Sequence, residues 1–542
     1  MLNPQQEAAV RYIDGPLLVL AGAGSGKTRV ITRKIAWLIQ QCGYQARNIY
    51  AVTFTNKAAN EMQQRMVSVL SSAERRGLKV ATFHTLGLQI IRRDVACCGL
   101  KKGFSIFDSE DCLQLIRQYL PAGKANEREF PLQVQQQISR WKNDLLTHSQ
   151  VEKLSVENEI AESAQQIYLS YIRALQAYNA ADFDDLIRLP VSLLRNDSLV
   201  REYWQNRIRH LLVDEYQDSN TCQYELVKCL TGVAARFTVV GDDDQSIYAW
   251  RGARPENLAQ LQKDFPKLKV IKLEQNYRST TRILLAANQL ISHNPHLFEK
   301  ALWSKLGAGE LLRVVVCRNE QDEAEQVVAD LITHKLRHGS NFRDYAILYR
   351  GNHQSRIFEK VLRHHGLPYS ISGGQSWFAR SEVKDIFAYC RLLVNESDDA
   401  AFLRALNSPR RGVGEATLDK LGHYAQQQEK SLFQCADHLA LQDLVTEKPR
   451  TALRDFKAWI SAGKQSLKHR PVLEVLRQIV EESGYEASLY EQSDTPAKAE
   501  KRMNNVWELI EWIGRLLEKD EQAGLADVIN KLILIDILEK KL

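Results

Sequence analysis

A glycine-rich stretch near the N-terminus has the composition of a phosphate-binding turn. Residues 16–28 read PLLVLAGAGSGKT, which is a short apolar run, a turn of small residues and the start of an amphipathic helix. Small residues in such a turn let backbone N–H groups surround phosphate oxygens, and the N-terminus of the helix attracts negative charge. Lys27 would then reach the β- and γ-phosphates, and the Thr28 hydroxyl would hold Mg²⁺. A flexible glycine loop with a chance lysine is the alternative, and the flanking strand and helix patterns disfavour it.

Two adjacent carboxylates follow a second apolar run. Residues 210–215 read HLLVDE, so that Asp214 and Glu215 come at the end of a predicted strand. In a phosphate-loop enzyme the first acid holds Mg²⁺, and the next one orients the attacking water or accepts its proton. An isolated Asp-Glu pair is a common surface feature, but its place behind an apolar strand favours catalysis.

A third polar cluster, VGDDDQSIYAWRGA at residues 240–253, also follows an apolar run. Polar residues at the carboxyl end of a strand face the nucleotide crevice of an open α/β sheet. Tyr248, Trp250 and Arg251 are residue types that stack on nucleic-acid bases, although such aromatic residues are often core residues instead. In the segment LEQNYRS, Arg278 either stabilises charge on a γ-phosphate or is a structural arginine.

A parallel sheet is needed to bring these clusters together. Apolar, β-branched runs alternate with helical patterns from residue 2 to about residue 87, and the alternation resumes at residue 210. This order predicts an α/β fold in which helices cover a parallel sheet. Besides the run before the glycine-rich turn, the strand candidates are residues 49–55, 79–83, 210–215, 237–241 and 270–273.

A second strand–helix series begins near residue 311. Its strand candidates are LRVVVC, DYAILYR and PYSISGG, and its predicted helices cover residues 320–338 and 354–365. This pattern predicts the start of a second α/β domain. Residues 375–542 are again almost wholly helical, and RGVGEATLDKL at 411–421 is a turn between two helices. Such a turn either contacts a DNA backbone or is an ordinary helical hairpin.

Residues 88–199 show helical patterns without strands and therefore predict a helical insertion. Its basic side chains either line a surface that faces DNA or belong to a solvated helix face. They are Arg92, Arg93, Lys101, Lys102, Arg140 and Lys142.

The composition is that of an ordinary globular chain, and its length predicts roughly three to four domains. The net charge of +6 permits contact with nucleic acid without requiring it. The nine cysteines form no Cys-x-x-Cys pair, which predicts free thiols in a reducing compartment. The first residues do not read as a signal peptide, and no apolar run approaches the ~18 residues of a membrane span. We therefore expect a cytoplasmic protein without a membrane partner.

Together the motifs resemble those of superfamily 1 DNA helicases, specifically the UvrD/Rep/PcrA group, over essentially residues 2–540. The resemblance implies RecA-like P-loop NTPase motor domains, built on parallel sheets and interrupted by two large helical insertions. The implied boundaries are 1–88 and 200–278 for the first motor domain, 89–199 for its insertion, 279–374 for the first part of the second motor domain and 375–542 for the second insertion.

The resemblance also implies a fuller nucleotide site for ATP and Mg²⁺. Gln6 matches the glutamine that reads adenine, Tyr277 matches the ring that stacks on adenine, and Gln245 matches the γ-phosphate sensor. The implied catalytic residues are Lys27, Asp214, Glu215, Gln245 and Arg278, and the implied metal ligands are Thr28 and Asp214. The implied cofactor-binding residues are Gln6, Ala21, Gly22, Ala23, Gly24, Ser25, Gly26, Lys27, Thr28, Arg29, Tyr277 and Arg278.

Single-stranded DNA is the implied second ligand. The segments AVTFTNKAA, TFHTLG and YRGNHQSR match DNA-contact motifs of the group. The resemblance implies an ATP-dependent 3′–5′ helicase that unwinds forked duplex, with replication-fork proteins as partners, acting as a monomer or a DNA-induced dimer. The implied DNA-binding residues are Phe54, Thr55, Asn56, His84, Tyr248, Trp250, Arg251, Arg350 and Asn352.

One departure from the group concerns its last motifs. The His-Ala-Ser-Lys-Gly-Leu-Glu-Phe-like motif and the motif with a second arginine finger do not occur before Leu542. We therefore expect the second motor domain to be incomplete, with its C-terminal part missing and ATP hydrolysis far below the family's level. The alternatives to a motor enzyme are a truncated fragment that binds ATP and single-stranded DNA, and a helicase-like subunit of a nuclease complex. No nuclease-type carboxylate domain is found in the sequence, which disfavours the latter.

Overall fold

The computed structural model describes residues 2–156, 158–232, 236–249, 252–371, 380–428, 430–518 and 523–540. Strands and helices alternate in its first part, as the sequence predicts. The α-helices and β-strands up to residue 93 are α1 (Pro4–Arg11), β1 (Leu17–Ala21), α2 (Lys27–Gln40), β2 (Ile49–Thr53), α3 (Asn56–Val67), β3 (Lys79–Thr82) and α4 (Phe83–Arg93).

The next part is mainly helical. Its elements are β4 (Ser105–Phe107), α5 (Ser109–Tyr119), α6 (Ala122–Ala125), α7 (Phe130–Asn143), α8 (His148–Val151), α9 (Glu159–Ala177), β5 (Ala180–Asp182), α10 (Asp185–Asn196) and α11 (Ser198–Arg207). The prediction that residues 88–199 contain no strand is wrong, because β4 and β5 pair in parallel. Each of these strands has three residues, which is too short for an alternating pattern to stand out from its helical surroundings.

Strands and helices then alternate again. The elements are β6 (His210–Val213), α12 (Thr221–Thr231), β7 (Phe237–Gly241), α13 (Glu256–Asp264), β8 (Lys269–Leu273), β9 (Gln275–Asn276), α14 (Thr281–Ile291), β10 (Trp303–Ser304), α15 (Glu320–His338) and α16 (Ser355–His364).

Six parallel strands form the main sheet, in the order β3-β2-β6-β7-β1-β8. This confirms every strand candidate before residue 274, with small shifts at the ends. Successive side chains of a strand point to opposite faces, and β2 shows it: Ile49 and Ala51 pack in one apolar layer, whereas Tyr50 and Val52 pack in the other. Burial on both faces explains why the four inner strands β1, β2, β6 and β7 are mostly apolar.

Within the described residues, the second strand–helix series forms its helices but not its predicted sheet. Helices α15 and α16 lie close to their predicted bounds. Residues 312–317 and 344–350, which the sequence predicts as strands, form no strand in the structure, and the third candidate is described only to residue 371. The side chains of Val314, Val316 and Leu348 are 91%, 93% and 92% exposed. An extended segment becomes a strand only if a neighbour accepts its hydrogen bonds, and these two segments have no such neighbour among the described residues.

The C-terminal part is helical, as predicted. Its helices are α17 (Ser381–Val394), α18 (Asp399–Asn407), α19 (Glu415–Gln427), α20 (Leu432–Cys435), α21 (Glu447–Ser466), α22 (Val472–Glu482), α23 (Tyr485–Gln492), α24 (Pro496–Glu518) and α25 (Leu525–Lys540). They share an apolar core with Leu100, Phe104 and Ile106 of the earlier helical part. Arg391 on α17 joins the two parts, because it lies 2.8 Å from Asp111 and 2.9 Å from Asp398.

The basic side chains predicted for residues 88–199 have different surroundings. Lys142 is fully buried, with Nζ 2.9 Å from Asp185 Oδ2 and also bonded to Asp182, so it belongs neither to a DNA-facing surface nor to a solvated face. Arg92 pairs with Asp527, and the Arg93 guanidinium lies over a tyrosine ring.

Among the described helices, none has both the length and the apolar character that crossing a bilayer requires.

Candidate nucleotide and DNA site

The sheet brings the three predicted polar clusters to one edge. Strands β6, β7 and β1 are neighbours and run in the same direction. Their carboxyl ends therefore lie together, and each is followed by one of the clusters. The glycine-rich turn follows β1, Asp214 and Glu215 follow β6, and residues 242–245 follow β7.

Lys27 is the point at which the three clusters meet. Its Nζ lies 2.7 Å from Glu215 Oε2 and donates a 3.1 Å hydrogen bond to Gln245 Oε1. The lysine side chain is 10% exposed and the Glu215 side chain is 40% exposed, so the pair is accessible from solvent rather than enclosed in the core. A lysine held by two residues from different strands is placed to exchange these partners for the oxygens of an incoming phosphate.

The glycine-rich turn leaves its backbone donors available. Gly26 precedes α2 in the left-handed conformation, and no side chain among the described residues caps this helix. The N–H groups of its first turn therefore point out of the helix end, where an anion is favoured.

Glycine is required at position 24 of this turn, both for its backbone conformation and for the space that a side chain would need. Gly24 has φ +68°, and a Cβ there would come within 2.6 Å of the Asn276 side-chain nitrogen. Asn276 donates from that nitrogen to the Ala23 carbonyl at 2.6 Å. The turn is thus held closely against the segment after β8.

Asp214 and Glu215 differ in environment. Asp214 is 6% exposed, and burial, followed by the neighbouring Glu215 charge, raises the pKa of Asp214 to about 7. Glu215 has φ +51°, an unusual backbone conformation for a residue with a side chain. The Asp214 carboxylate and the Thr28 hydroxyl supply the oxygen ligands that Mg²⁺ prefers, so the donor chemistry fits this metal.

Gln217 is a connecting residue that the sequence analysis left unassigned. It is 1% exposed, donates to Glu215 Oε2 at 2.9 Å and accepts from the Asp242 backbone N–H at 2.9 Å. It therefore joins the loops after β6 and β7. Its place in the motif VDEYQD was the only available signal, because its partner lies 25 residues away in the chain.

The predicted adenine-binding residues lie on the other side of the turn. Gln6 is 1% exposed, and its amide donates to the Ser25 carbonyl at 2.9 Å and accepts from the Asn3 N–H at 3.1 Å. Tyr277 is 44% exposed, and its hydroxyl accepts from the Asn3 side chain at 2.9 Å. Asn3, which the sequence analysis did not assign, thus links both residues.

The remaining predicted nucleotide residues surround the turn. Arg278 is exposed beside it, because a Cβ on Gly24 would come within 2.8 Å of the Arg278 Cβ. Gly22 lies directly under the Leu302 side chain. Ser25 is buried and donates from its hydroxyl to the Gly22 carbonyl at 2.7 Å. Ala21 ends β1 and is buried, whereas Arg29 is exposed on the first turn of α2.

A cavity of about 700 Å³ next to this edge gathers four of the predicted DNA-binding residues. Phe54, Thr55, His84 and Tyr248 line it, together with Phe183, on which the His84 ring stacks at a centroid distance of 3.6 Å. Aromatic rings in an accessible cavity are suited to base stacking.

Asn56 begins α3 beside this cavity. Its Nδ2 is buried and has no hydrogen-bond partner among the described residues. A buried donor without a partner is costly unless a ligand or water supplies an acceptor. The preceding Thr55 is already used as a helix cap, because its hydroxyl accepts from the Ala58 N–H at 3.0 Å.

Four other predicted DNA-binding residues are not gathered there. Trp250 and Arg251 lie outside the described residues. Arg350 and Asn352 lie in the second strand–helix series, and neither lines the cavity. Arg350 is exposed.

Comparisons with known proteins agree with these features. Residues 2–266 match the sequence model of the UvrD/REP helicase N-terminal domain, and residues 271–542 match that of the UvrD-like helicase C-terminal domain. The second match extends to residue 542 and does not support the expectation that the C-terminal part of the chain is missing.

Individual relatives are similar along almost the whole chain. The ATP-dependent DNA helicase Rep of Escherichia coli is 52% identical over 99% of this chain and 80% of its own length. The Rep helicase of Salmonella typhimurium is 51% identical with the same coverage. The ATP-dependent DNA helicase PcrA of Staphylococcus aureus is 37% identical over 94% of this chain and 69% of its own length. The chain therefore belongs to the UvrD/Rep family of helicases.

Proposed function

We propose that this ATP-dependent DNA helicase binds ATP at the carboxyl edge of the main sheet and uses its hydrolysis to move along single-stranded DNA. The observation that carries the proposal is the convergence of Lys27, Glu215 and Gln245, which come from three neighbouring strand ends and lie within hydrogen-bond distance. Family membership supports the same activity.

Lys27 has two successive roles in the proposed hydrolysis. Before nucleotide binds, its ammonium is paired with Glu215. When the Lys27 ammonium leaves Glu215 and binds phosphate oxygens, the Glu215 carboxylate becomes available to orient and deprotonate water. Gln217 still donates a hydrogen bond to one oxygen of this carboxylate. Gln245 stays beside the lysine and senses the γ-phosphate.

Mg²⁺ supplies charge neutralisation at the phosphates when bound. Thr28 and Asp214 are its proposed ligands. Arg278 stabilises the charge that spreads over the transferred group, and Tyr277 and Gln6 hold the adenine.

The DNA strand is proposed to cross the cavity next to the nucleotide site. The proposed direction is 3′–5′, on forked duplex in the cytoplasm, with replication-fork proteins as partners and with a monomer or a DNA-induced dimer as the active form. The proposed motor domains are residues 1–88 with 200–278, and 279–374, and the proposed insertions are 89–199 and 375–542. The proposed DNA contacts are Phe54, Thr55, Asn56, His84, Tyr248, Trp250, Arg251, Arg350 and Asn352.

The test replaces Lys27 by alanine and measures DNA-stimulated phosphate release. We expect weaker ATP binding and a loss of about 10²–10³-fold in turnover, because a preorganised charge is removed from the transferring phosphate. Lys79→Ala is the matched control. Lys79 is exposed and begins edge strand β3, so it lies at the end of the sheet opposite the proposed nucleotide site.

Circular dichroism shows whether both variants keep the fold. Unchanged ATP affinity and turnover in Lys27→Ala would refute the assignment of the nucleotide site. An equal loss in both variants would mean that the effect is not specific to the site.

A further inference from the structure

The loop after β7 carries three consecutive aspartates whose carboxylates surround the ammonium group of one lysine. Asp242, Asp243 and Asp244 have carboxylate oxygens within 4.8 Å of one another, a spacing that suits a cation. In the structure the Lys300 ammonium occupies this position, 2.6 Å from Asp242, 3.0 Å from Asp244 and also bonded to Asp243. The Lys300 side chain is 4% exposed. A buried charge is retained only if opposite charges surround it.

The carboxylates also bind the backbone around Lys300. Asp243 accepts from the N–H groups of Leu297 and Phe298, at 3.1 and 3.3 Å. His296 contacts Asp244 at 3.1 Å. Residues 296–300 are therefore fixed to the loop by several bonds rather than by one flexible side chain.

A short series of contacts runs from Lys300 to the phosphate-binding lysine. Lys300 binds Asp242, and Asp242 accepts a hydrogen bond from the Gln245 side-chain nitrogen. The oxygen of the same Gln245 amide accepts from Lys27 Nζ at 3.1 Å. Only two residues, Asp242 and Gln245, separate the two ammonium groups.

The chain after Lys300 returns to the phosphate-binding turn. Leu302 covers Gly22, and a Cβ added to that glycine would come within 2.2 Å of the Leu302 side chain. Trp303 and Ser304 pair with Gln275 and Asn276 in the β9–β10 ladder. The segment 296–304 therefore contacts both the loop that carries Gln245 and the glycine-rich turn.

We propose that Lys300 is a positioning residue for ATP hydrolysis, which holds the three aspartates so that Gln245 stays within reach of Lys27. The proposal rests on the nucleotide site proposed above. Without the ammonium, three adjacent carboxylates repel one another, and the loop that carries Gln245 loses the contact that joins all three of them. Lys300 itself touches neither nucleotide nor DNA in this role.

The experiment measures kcat and KM for ATP with saturating single-stranded DNA in the full chain. Lys300→Met is expected to lower kcat by about 10²-fold with little change in KM, because misplacement of a supporting group has effects of this size. Lys300→Arg keeps the charge and should recover most of the activity. Lys305→Met is the control, because this lysine is exposed in the same segment.

A double variant tests whether Lys300 acts through Gln245. If it does, Lys300→Met combined with Gln245→Ala is no slower than the slower single variant, because both changes break the same series of contacts. Multiplied losses in the double variant would overturn the proposal. So would normal kcat in Lys300→Met together with slow turnover in Gln245→Ala.

Failure of the nucleotide site has a different result. Normal turnover in Gln245→Ala would refute the sensor assignment, and with it the role of Lys300. If Lys300→Met does not fold, Asp242→Asn weakens the same contact from its other side without a change of shape. A normal kcat in Asp242→Asn would then contradict the proposal.

Discussion

The two strand–helix series of this chain have similar sequence patterns and different structures. In the first, apolar runs form six parallel strands, and residues such as Leu212 are fully buried. In the second, the helices form, but residues 312–317 and 344–350 pair with no strand among the described residues, and Leu348 is 92% exposed. An apolar, β-branched run therefore shows that a segment can be a strand, whereas its neighbours decide whether it becomes one.

The difference extends to the predicted functional residues. Those of the first series follow adjacent strands, and the sheet fixes their relative positions. Lys27, Glu215 and Gln245 are within hydrogen-bond distance although 218 positions separate the first from the last. Arg350 and Asn352 of the second series follow no strand of a sheet in the part of the chain that the structure describes.

Hydrogen exchange should show the largest difference between the two series. The paired amides of Val19 and Val240 should exchange only through global unfolding, which costs about 5–15 kcal/mol for a domain. Amides of residues 312–317 should exchange at nearly the rate of an unstructured peptide. Amides of α15 should show intermediate protection. Such protection would show that this region is folded and that fast exchange of residues 312–317 does not come from unfolding of the whole region. Strong protection of residues 312–317 would contradict the difference between the two series, because it would show that these residues are hydrogen-bonded in solution.

A pair of leucine substitutions should show the next largest effect. Leu212→Ala is expected to lower the free energy of unfolding by about 2–5 kcal/mol, because it leaves a cavity between the sheet and its helices. Leu348→Ala should change this free energy by less than about 0.5 kcal/mol, because its side chain is already in solvent. Urea denaturation measures both. Equal losses would mean that residues 344–350 are packed in solution.

DNA binding should separate the two series in a third way. Tyr248→Ala should weaken single-stranded DNA binding by about 1–3 kcal/mol without changing its salt dependence, because a stacking contact is lost. Arg350→Ala should instead reduce the slope of log K against log salt by about 0.7, if one phosphate contact is lost. Fluorescence anisotropy at several salt concentrations measures both quantities. An unchanged slope in Arg350→Ala would remove the second series from the DNA site.

Sequence reasoning predicted most of the first series and little of what connects its parts. The six strands and the three polar clusters at their ends follow from local patterns. The parallel pair of β4 and β5 did not, because each strand is too short to carry a pattern. The contacts of Lys142 and Lys300, and the bond between Gln217 and the Asp242 backbone, were also missed, since each of these partners lies 25 or more positions away. A single sequence carries no local signal for such contacts.

Burial at the sheet edge also changes the protonation of carboxylates, and two aspartates compare the two series in this respect. Asp322 on α15 is only partly buried, and its hydrogen bond from Arg318 lowers its pKa. Burial of Asp214 has the opposite effect and raises the pKa from 3.8 to about 7. The folded state then binds more protons than the unfolded state between these values, so that the Asp214 contribution to the free energy of unfolding falls as the pH rises from 3.8 to about 7.

Metal binding provides the measurement for Asp214. A carboxylate must lose its proton to hold Mg²⁺, so binding of Mg²⁺ with ATP at neutral pH should release a fraction of a proton. Calorimetry in buffers of different ionisation enthalpy measures this release. Asp214→Asn should abolish this proton release. It should also make the free energy of unfolding fall less steeply toward neutral pH. Asp322→Asn should change neither the proton release nor this pH dependence. Proton release that persists in Asp214→Asn would assign the titration to another group, because asparagine cannot ionise and the burial of this position would then have no part in it.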